Sequence, residues 1–102
     1  MKNWLNEANK KYLSGDYKGA IKLYDKAIEE NPNLIEAYLN RGIAKHDTGL
    51  YSESIEDYNK VISIDKLNSE AYKNRALAFY SLNNSIAALA DYNEATRLLS
   101  QE

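Results

Sequence analysis

Apolar and small residues recur along this chain at helical spacing, in six stretches separated by short polar breaks. The first stretch, 2–14, sets Leu5, Ala8, Tyr12 and Leu13 along one side, the i, i+3, i+4 pattern of an amphipathic helix. Gly15-Asp16 interrupts it. Glycine supplies the positive φ that many helix C-termini need, and the Asp16 carboxylate can accept a backbone N–H of the next helix. The second stretch carries Ala20, Ile21, Tyr24, Ala27 and Ile28, a narrow stripe suited to close packing. It ends at Asn31-Pro32, because the residue before a proline avoids the α region. A third helix is predicted from Leu34-Ile35 to about Thr48, and Gly49 repeats the break of Gly15. The fourth runs from about Tyr51 to Ile64 with Ile55, Tyr58, Val61 and Ile62 inward, and Asp65-Lys66 stands where Asn31-Pro32 stood. Ser69 is the expected cap of the fifth helix, whose Tyr72, Ala76 and Phe79 face the core. The last turn is Asn83-Asn84-Ser85; asparagine tolerates the left-handed conformation better than most residues. The sixth helix then presents Leu89, Tyr92, Ala95 and Leu98.

These stretches are related by a shift of 34 residues, and the chain of 102 holds three such units. Nine of 34 positions are identical between the first and second units, and nine between the second and third; typical residue frequencies give about two by chance. A fixed period of this length marks stacked units that share a core none could bury alone. The expected organisation is a single domain, 1–102, of repeats 1–34, 35–68 and 69–102. The matching columns are mostly small or aromatic. Ala8, Gly42 and Ala76 are small where two helices cross, and Tyr24, Tyr58 and Tyr92 are large where each fills the wedge to the neighbouring hairpin.

Composition narrows the function. A net charge of −2 argues against a nucleic-acid surface or an anionic membrane, both of which call for clustered Lys and Arg. Without cysteine there is no disulfide framework and no thiolate site. His46, the single histidine, has no partners at the spacing of a zinc site or a catalytic triad, and the four glycines match no phosphate loop. No metal, cofactor or enzymatic activity is expected. No apolar run reaches the length of a membrane span, and the opening residues, Met1 to Glu7, lack the apolar stretch of a secretory signal; a cytoplasmic protein is the expectation. Glu29-Glu30 and Glu53, Glu56 and Asp57 read as exposed solubility charges. Lys10-Lys11 with Arg41 and Lys45 form a modest basic spot suited to an acidic partner.

The columns Trp4/Tyr38/Tyr72, Ala8/Gly42/Ala76, Gly15/Gly49, Tyr17/Tyr51, Ala20/Ser54/Ala88, Tyr24/Tyr58/Tyr92 and Ala27/Val61/Ala95, with Pro32, resemble the tetratricopeptide repeat (TPR) family over the whole chain. The resemblance implies an all-α fold in which three helix-turn-helix repeats stack as a right-handed α-solenoid. The first helix of each pair then lines a concave groove, and members act as protein-interaction scaffolds that hold an extended peptide or a partner helix there. Carried over residue by residue, the groove is formed by Leu5, Asn9 and Tyr12, by Glu36, Leu39, Asn40, Ile43 and His46, and by Glu70, Lys73, Leu77 and Tyr80. Lys2, Leu13, Asp47 and Ser81 complete the lining that the resemblance implies. Leu5, Leu39, Ile43 and Leu77 supply an apolar floor, and Tyr12 and Tyr80 the amphipathic edges common at binding hot spots.

Chaperone adaptors of this family clamp a C-terminal carboxylate with a Lys, two Asn, a second Lys and an Arg. Those places hold Leu5, Asn9, Asn40, Glu70 and Asn74 here. Only the two asparagines match, and an acid repels a carboxylate, so a chaperone tail is not the expected partner. The column Asn6, Asn40, Asn74 is expected to bridge adjacent repeats by hydrogen bonds. At the far end, Leu89, Leu98 and Leu99 are expected to be partly exposed, because a last repeat without a polar covering helix shows its packing face to water. The leading expectation is a non-enzymatic scaffold binding a partner in the groove. The alternative is a structural protein that self-associates through that end. The length of three whole units also fits a designed or excised array, although the irregular third turn and the uneven repeats look like natural drift.

Overall fold

A computed structural model describes residues 2–101; Met1 and Glu102, the expected outer limits of the first and third repeats, lie outside the described residues. Six helices follow one another: α1 (Trp4–Leu13), α2 (Tyr17–Glu30), α3 (Ile35–Asp47), α4 (Tyr51–Ile64), α5 (Ser69–Ser81) and α6 (Ser85–Leu99). Local chemistry sets their ends. Asp16 Oδ1 accepts from the Gly19 N–H at 2.9 Å, and Asn3, Asn68 and Asn84 cap α1, α5 and α6 in the same way. The α5 cap is therefore Asn68, one residue before the expected Ser69. Gly15 and Gly49 turn the chain at φ 90° and 82°, and Asn83 does so at 63°. After α2 the Asn31 side chain accepts from the Asn33 N–H, and after α4 Asp65 accepts from the Leu67 N–H. The acid thus builds the same Asx turn without a proline.

Packing is sequential: each helix rests on the next, and in addition α1 touches α3 and α3 touches α5. No such contact joins α2, α4 and α6 to one another. The first helices of the three hairpins therefore lie close together while the second helices splay. The stack curves toward the α1/α3/α5 layer, which becomes the concave side of a solenoid measuring 41 × 28 × 19 Å.

Two core clusters merge along this stack. Ala8, Ala20, Tyr24, Ala27, Ala37 and Ala44 form the first; Tyr38, Leu39, Tyr58, Val61, Ala71 and Ala78 form the second. Ile28 packs on both, so no hairpin has a core of its own. Gly42 lets α3 lie against Tyr58 of α4: a Cβ there would lie 2.6 Å from the Tyr58 ring.

Arg41 and Arg75 tie the layers together. Arg41 Nε and Nη2 donate to Asp57 at 2.9 and 2.6 Å, and its Nη1 donates to Asp25 of the preceding hairpin at 2.8 Å. Arg75 repeats this with Asp91 and Asn59. Asp57 is only 3% exposed, which corrects its reading as a solubility charge. Three of the four cations of the expected basic spot are paired with acids: Arg41 as above, Lys45 at 3.5 Å from Glu53 and 3.6 Å from Asp57, and Lys11 at 3.8 Å from Asp16.

Candidate functional site

The concave face opens into a cavity of about 270 Å³ between α1 and α3, lined by Asn9, Tyr12, Leu13, Tyr24, Asn40 and Ile43. Its polar base is a three-residue cluster. Asn9 Oδ1 accepts from the Tyr24 hydroxyl at 2.6 Å and from Asn40 Nδ2 at 3.1 Å. Two donors on one oxygen fix the Asn9 amide, leaving its Nδ2 as a donor and Asn40 Oδ1 as an acceptor with no partner among the described residues. Burial raises the Tyr24 hydroxyl to about 12, so it remains a neutral donor. Around this base the wall is apolar, from Ile43 and Leu13, the latter 83% exposed.

One edge of the groove is held by bridges between neighbouring repeats. The Tyr12 hydroxyl donates to Asp47 Oδ2 at 2.6 Å, and the Tyr12 ring lies 5.1 Å from that of Tyr17. His46 Nε2 sits 3.2 Å from Ser81 Oγ, and its ring lies 5.0 Å from that of Tyr51. Each bridge joins residues 35 apart, so both repeat one geometry. The hydrogen bond to Asp47 is the main reason that Tyr12 is pushed up to about 12.

The fold thus brings a serine and an acid to the histidine that lacked partners in the sequence. The three groups do not form a triad. His46 Nδ1 is 3.9 Å from Asp47 Oδ1, the Asp47 carboxylate is engaged by Tyr12, and the Ser81 hydroxyl donates to the Leu77 carbonyl. Both bridged segments are helix C-terminal turns. Their outward groups are carbonyls, the wrong polarity for an oxyanion.

Of the residues expected in the groove, Asn9, Tyr12, Leu13, Asn40 and Ile43 line the cavity. Glu36, Glu70, Lys73, Leu77 and Tyr80 are exposed on the same layer, and His46 is half-buried. Leu5 packs partly into the first core cluster. Leu39 departs from expectation: at 8% exposure it belongs to the second core cluster, because α5 lies against α3 and covers it. Of the expected asparagine column, only Asn40 bridges repeats, and it does so to Asn9; the Asn6 backbone N–H serves the Asn3 cap. At the far end Leu89 and Leu99 are 61% and 58% exposed, whereas Leu98 is 8% exposed and buried, since it lies on the side of α6 turned toward α5. The Tyr24 hydroxyl was missing from the expected groove. Its signal was the preference for nine tyrosines over one phenylalanine, which implies use of the hydroxyls.

Among the described residues no helix is long and apolar enough to cross a membrane, and no three His, Cys, Asp or Glu side chains are grouped to hold a metal ion.

Comparison with known proteins places this geometry. A family model described as TPR repeat matches residues 8–49, and one described as tetratricopeptide repeat matches residues 35–66. No curated protein matches the chain. Among solved structures, the Arabidopsis OM64 TPR domain is 29% identical at TM-score 0.92, over 97% of this chain and 82% of that one. The first TPR domain of Spaghetti (RPAP3), bound to the HSP90 peptide SRMEEVD, is 23% identical at TM-score 0.92, over 97% of this chain and 79% of that one. MamA is 22% identical at TM-score 0.92 over 96% of this chain, which spans 57% of the MamA chain. The two less identical structures speak for the fold. With family matches running from residue 8 to residue 66 and three helical hairpins in one stack, the chain belongs to the tetratricopeptide repeat family.

Proposed function

We propose that the concave groove of this interaction scaffold binds an extended segment or a helix of a partner protein, without catalysis, centred on Asn9, Asn40 and Tyr24. The observation that carries this reading is the half-satisfied amide pair beneath an apolar cavity. Asn9 Nδ2 and Asn40 Oδ1 offer one donor and one acceptor, the complement of a peptide group, while Ile43 and Leu13 offer a wall for a neighbouring side chain. A tetratricopeptide domain of closely similar shape holds an HSP90 peptide, which supports a peptide as the class of ligand.

The groove differs from a carboxylate clamp where it matters. Leu5 and Asn74 carry no charge, and the exposed Glu70 is negative. We therefore read the ligand as a segment other than a chaperone tail. The test is fluorescence anisotropy on the full chain with SRMEEVD and with peptides selected from a random library. Selected peptides bind at least about tenfold more tightly than SRMEEVD, and the Glu70→Lys/Lys73→Glu double swap weakens them while the helix content holds. Tight SRMEEVD binding that is lost in Asn9→Ala would return the chaperone tail as ligand and keep the groove. Unchanged affinity of selected peptides in Asn9→Ala and in the double swap would remove the groove itself.

A second reading is self-association through the exposed side of α6, favoured by Leu89 and Leu99. Sedimentation velocity over a hundredfold concentration range tests it: a steady monomer rules it out.

A further inference from the structure

The charges of the concave layer are sorted by sign. Most of the cations near it are engaged elsewhere. Arg41 and Lys45 turn to Asp25, Asp57 and Glu53, Lys11 lies 3.8 Å from Asp16, and Lys2 lies over the Trp4 ring at 5.3 Å. Lys10 is exposed but stands about 100° round α1 from Asn9. The acids remain free. Glu36 and Glu70 are exposed, and neither forms an ion pair among the described residues. Their field reaches the floor of the layer. Burial is the main reason that the Tyr24 hydroxyl is raised to about 12, and the Glu36 carboxylate adds to it. Burial likewise raises Tyr58, and Asp47, Asp57 and Glu70 add to that.

Glu36 also stands in a useful place. Glu36, Asn40 and Ile43 are spaced i, i+4 and i+7, which puts them on one face of α3. Along the axis Glu36 lies ~6 Å from Asn40 in one direction, and Ile43 lies ~4.5 Å from it in the other. On α5, Glu70, Asn74 and Leu77 repeat the order one period later. An acid in the first turn of a helix suits the helix dipole on any face of that turn. Here both acids stand on the face that lines the groove.

An extended chain crossing α3 at Asn40 can place a peptide group on Asn9 Nδ2 and Asn40 Oδ1. A helix satisfies its peptide groups internally and would leave that amide pair idle. In an extended chain successive side chains point to opposite sides. One then turns toward Ile43 and Leu13, and its neighbour toward Glu36. An acid in the second place meets a like charge, whereas Lys or Arg gains a charge-assisted hydrogen bond.

Building on the groove reading above, we propose that the ligand is an extended basic segment in which apolar residues alternate with Lys or Arg. The apolar side chain enters the wall of Ile43 and Leu13, the adjacent cation pairs with Glu36, and a second cation further along pairs with Glu70. Lys73, exposed one turn from Glu70, makes the second contact the weaker of the two. The partner's charge is thus opposite to the one that the basic spot in the sequence suggests.

The probes are three sets of short peptides, acetylated and amidated so that their ends carry no charge. Each holds two apolar residues (Leu, Ile, Val or Phe) alternating with two Arg, two Gln or two Glu, between flanks of Gly and Ser. Binding to the full chain is read by fluorescence anisotropy. The best Arg peptide binds about tenfold more tightly than its Gln counterpart, roughly threefold for each partly exposed pair, and the Glu counterpart binds most weakly. Glu36→Gln weakens the Arg peptide by about threefold and leaves the Gln peptide unchanged. Glu29→Gln, at an exposed position of α2 outside the concave layer, changes neither.

Equal binding of Arg and Gln peptides, or tighter binding of the Glu peptide, would overturn the proposal. So would equal losses in Glu29→Gln and Glu36→Gln, which would reduce the effect to general attraction by an acidic chain. In each of these cases loss of binding in Asn9→Ala would keep the groove as the site. Failure of every Arg peptide at about 1 mM would overturn the basic class, and the groove would stand if library-selected peptides still bound through Asn9. Arg peptides that bind as well to Asn9→Ala would remove the groove and this proposal together.

Discussion

Replacing Asp57 by alanine is the perturbation that most directly probes how the repeats are held together. Asp57 is 3% exposed and accepts two hydrogen bonds from Arg41, whose side chain is 17% exposed. Removing one partner of a buried ion pair costs about 3–5 kcal/mol, because the other charge is left uncompensated. Arg41 retains Asp25 at 2.8 Å, and that carboxylate is 48% exposed, so part of the charge stays paired near water. The expected loss is therefore at the lower end, about 3 kcal/mol, a large share of the roughly 5–15 kcal/mol that holds a domain together. Asp91→Ala probes the second clamp. Arg75 and Asp91 are 21% and 9% exposed in their side chains, slightly more than the first pair, but Arg75 keeps only the neutral Asn59, so the two effects offset and a similar loss of about 3 kcal/mol is expected. Urea unfolding followed by far-ultraviolet circular dichroism measures both, with unchanged m-values showing that the unfolding transition is the same. Replacing both partners with apolar residues, Arg41→Met with Asp57→Leu, should recover much of the loss, since no unpaired charge remains. A drop below about 1 kcal/mol for Asp57→Ala, the range of an exposed ion pair, would refute the assignment of this clamp as a buried tie between repeats.

Three further outcomes follow from the same geometry. Tyr12 and Tyr24 are raised from 10.0 to about 12, and burial raises Tyr58 as well. Their neutral forms thus contribute stability that is whole below pH 10 and is lost as pH climbs toward 12; tyrosinate absorbance should show a late phase coincident with loss of helix, and one smooth titration near pH 10 with helix intact would contradict this. Gly42→Ala places a Cβ 2.6 Å from the enclosed Tyr58 ring, and overpacking should outweigh the gain in helix propensity, for a net loss of about 1 kcal/mol in urea unfolding; a more stable variant would show that α3 and α4 have room to part. At Asn83, with φ 63°, alanine should cost about 1 kcal/mol in thermal or urea unfolding while glycine is neutral or stabilising, and the reverse order would mean that the third turn is not held left-handed.

The fold was legible because its period is carried by residues whose size is dictated locally. Small residues at the helix crossings and tyrosines recur every 34 positions; Tyr24 and Tyr58 are enclosed between hairpins as expected, whereas Tyr92 is 38% exposed because no described hairpin follows it. Turn chemistry was less unique. Asn68 and Ser69 are both good caps, and composition cannot choose between neighbours. The groove was legible as a layer, but not in depth. Leu5, Leu39 and Lys73 share one column, yet they are half-buried, buried and exposed, because burial there depends on which neighbouring helix covers each residue. The arginine clamps went unread because their partners lie 16 residues away on the facing helix, beyond the reach of periodicity within one helix. They are visible in retrospect as Arg41/Arg75 and Asp57/Asp91, each pair one period apart. The fold also brought Ser81 to His46 and Asp47 from one period away, in two adjacent columns of the repeat, something no short motif announces.

The central claim, that the groove around Asn9 and Asn40 is the ligand site, is tested most directly by mapping a library-selected peptide on the full chain by heteronuclear NMR. The account predicts saturable shift changes concentrated at Asn9, Tyr12, Leu13, Asn40 and Ile43, with the side-chain amides of Asn9 and Asn40 among the largest. Changes confined to α2 and α4, or to the outer side of α6, with the two asparagine amides unmoved, would contradict it.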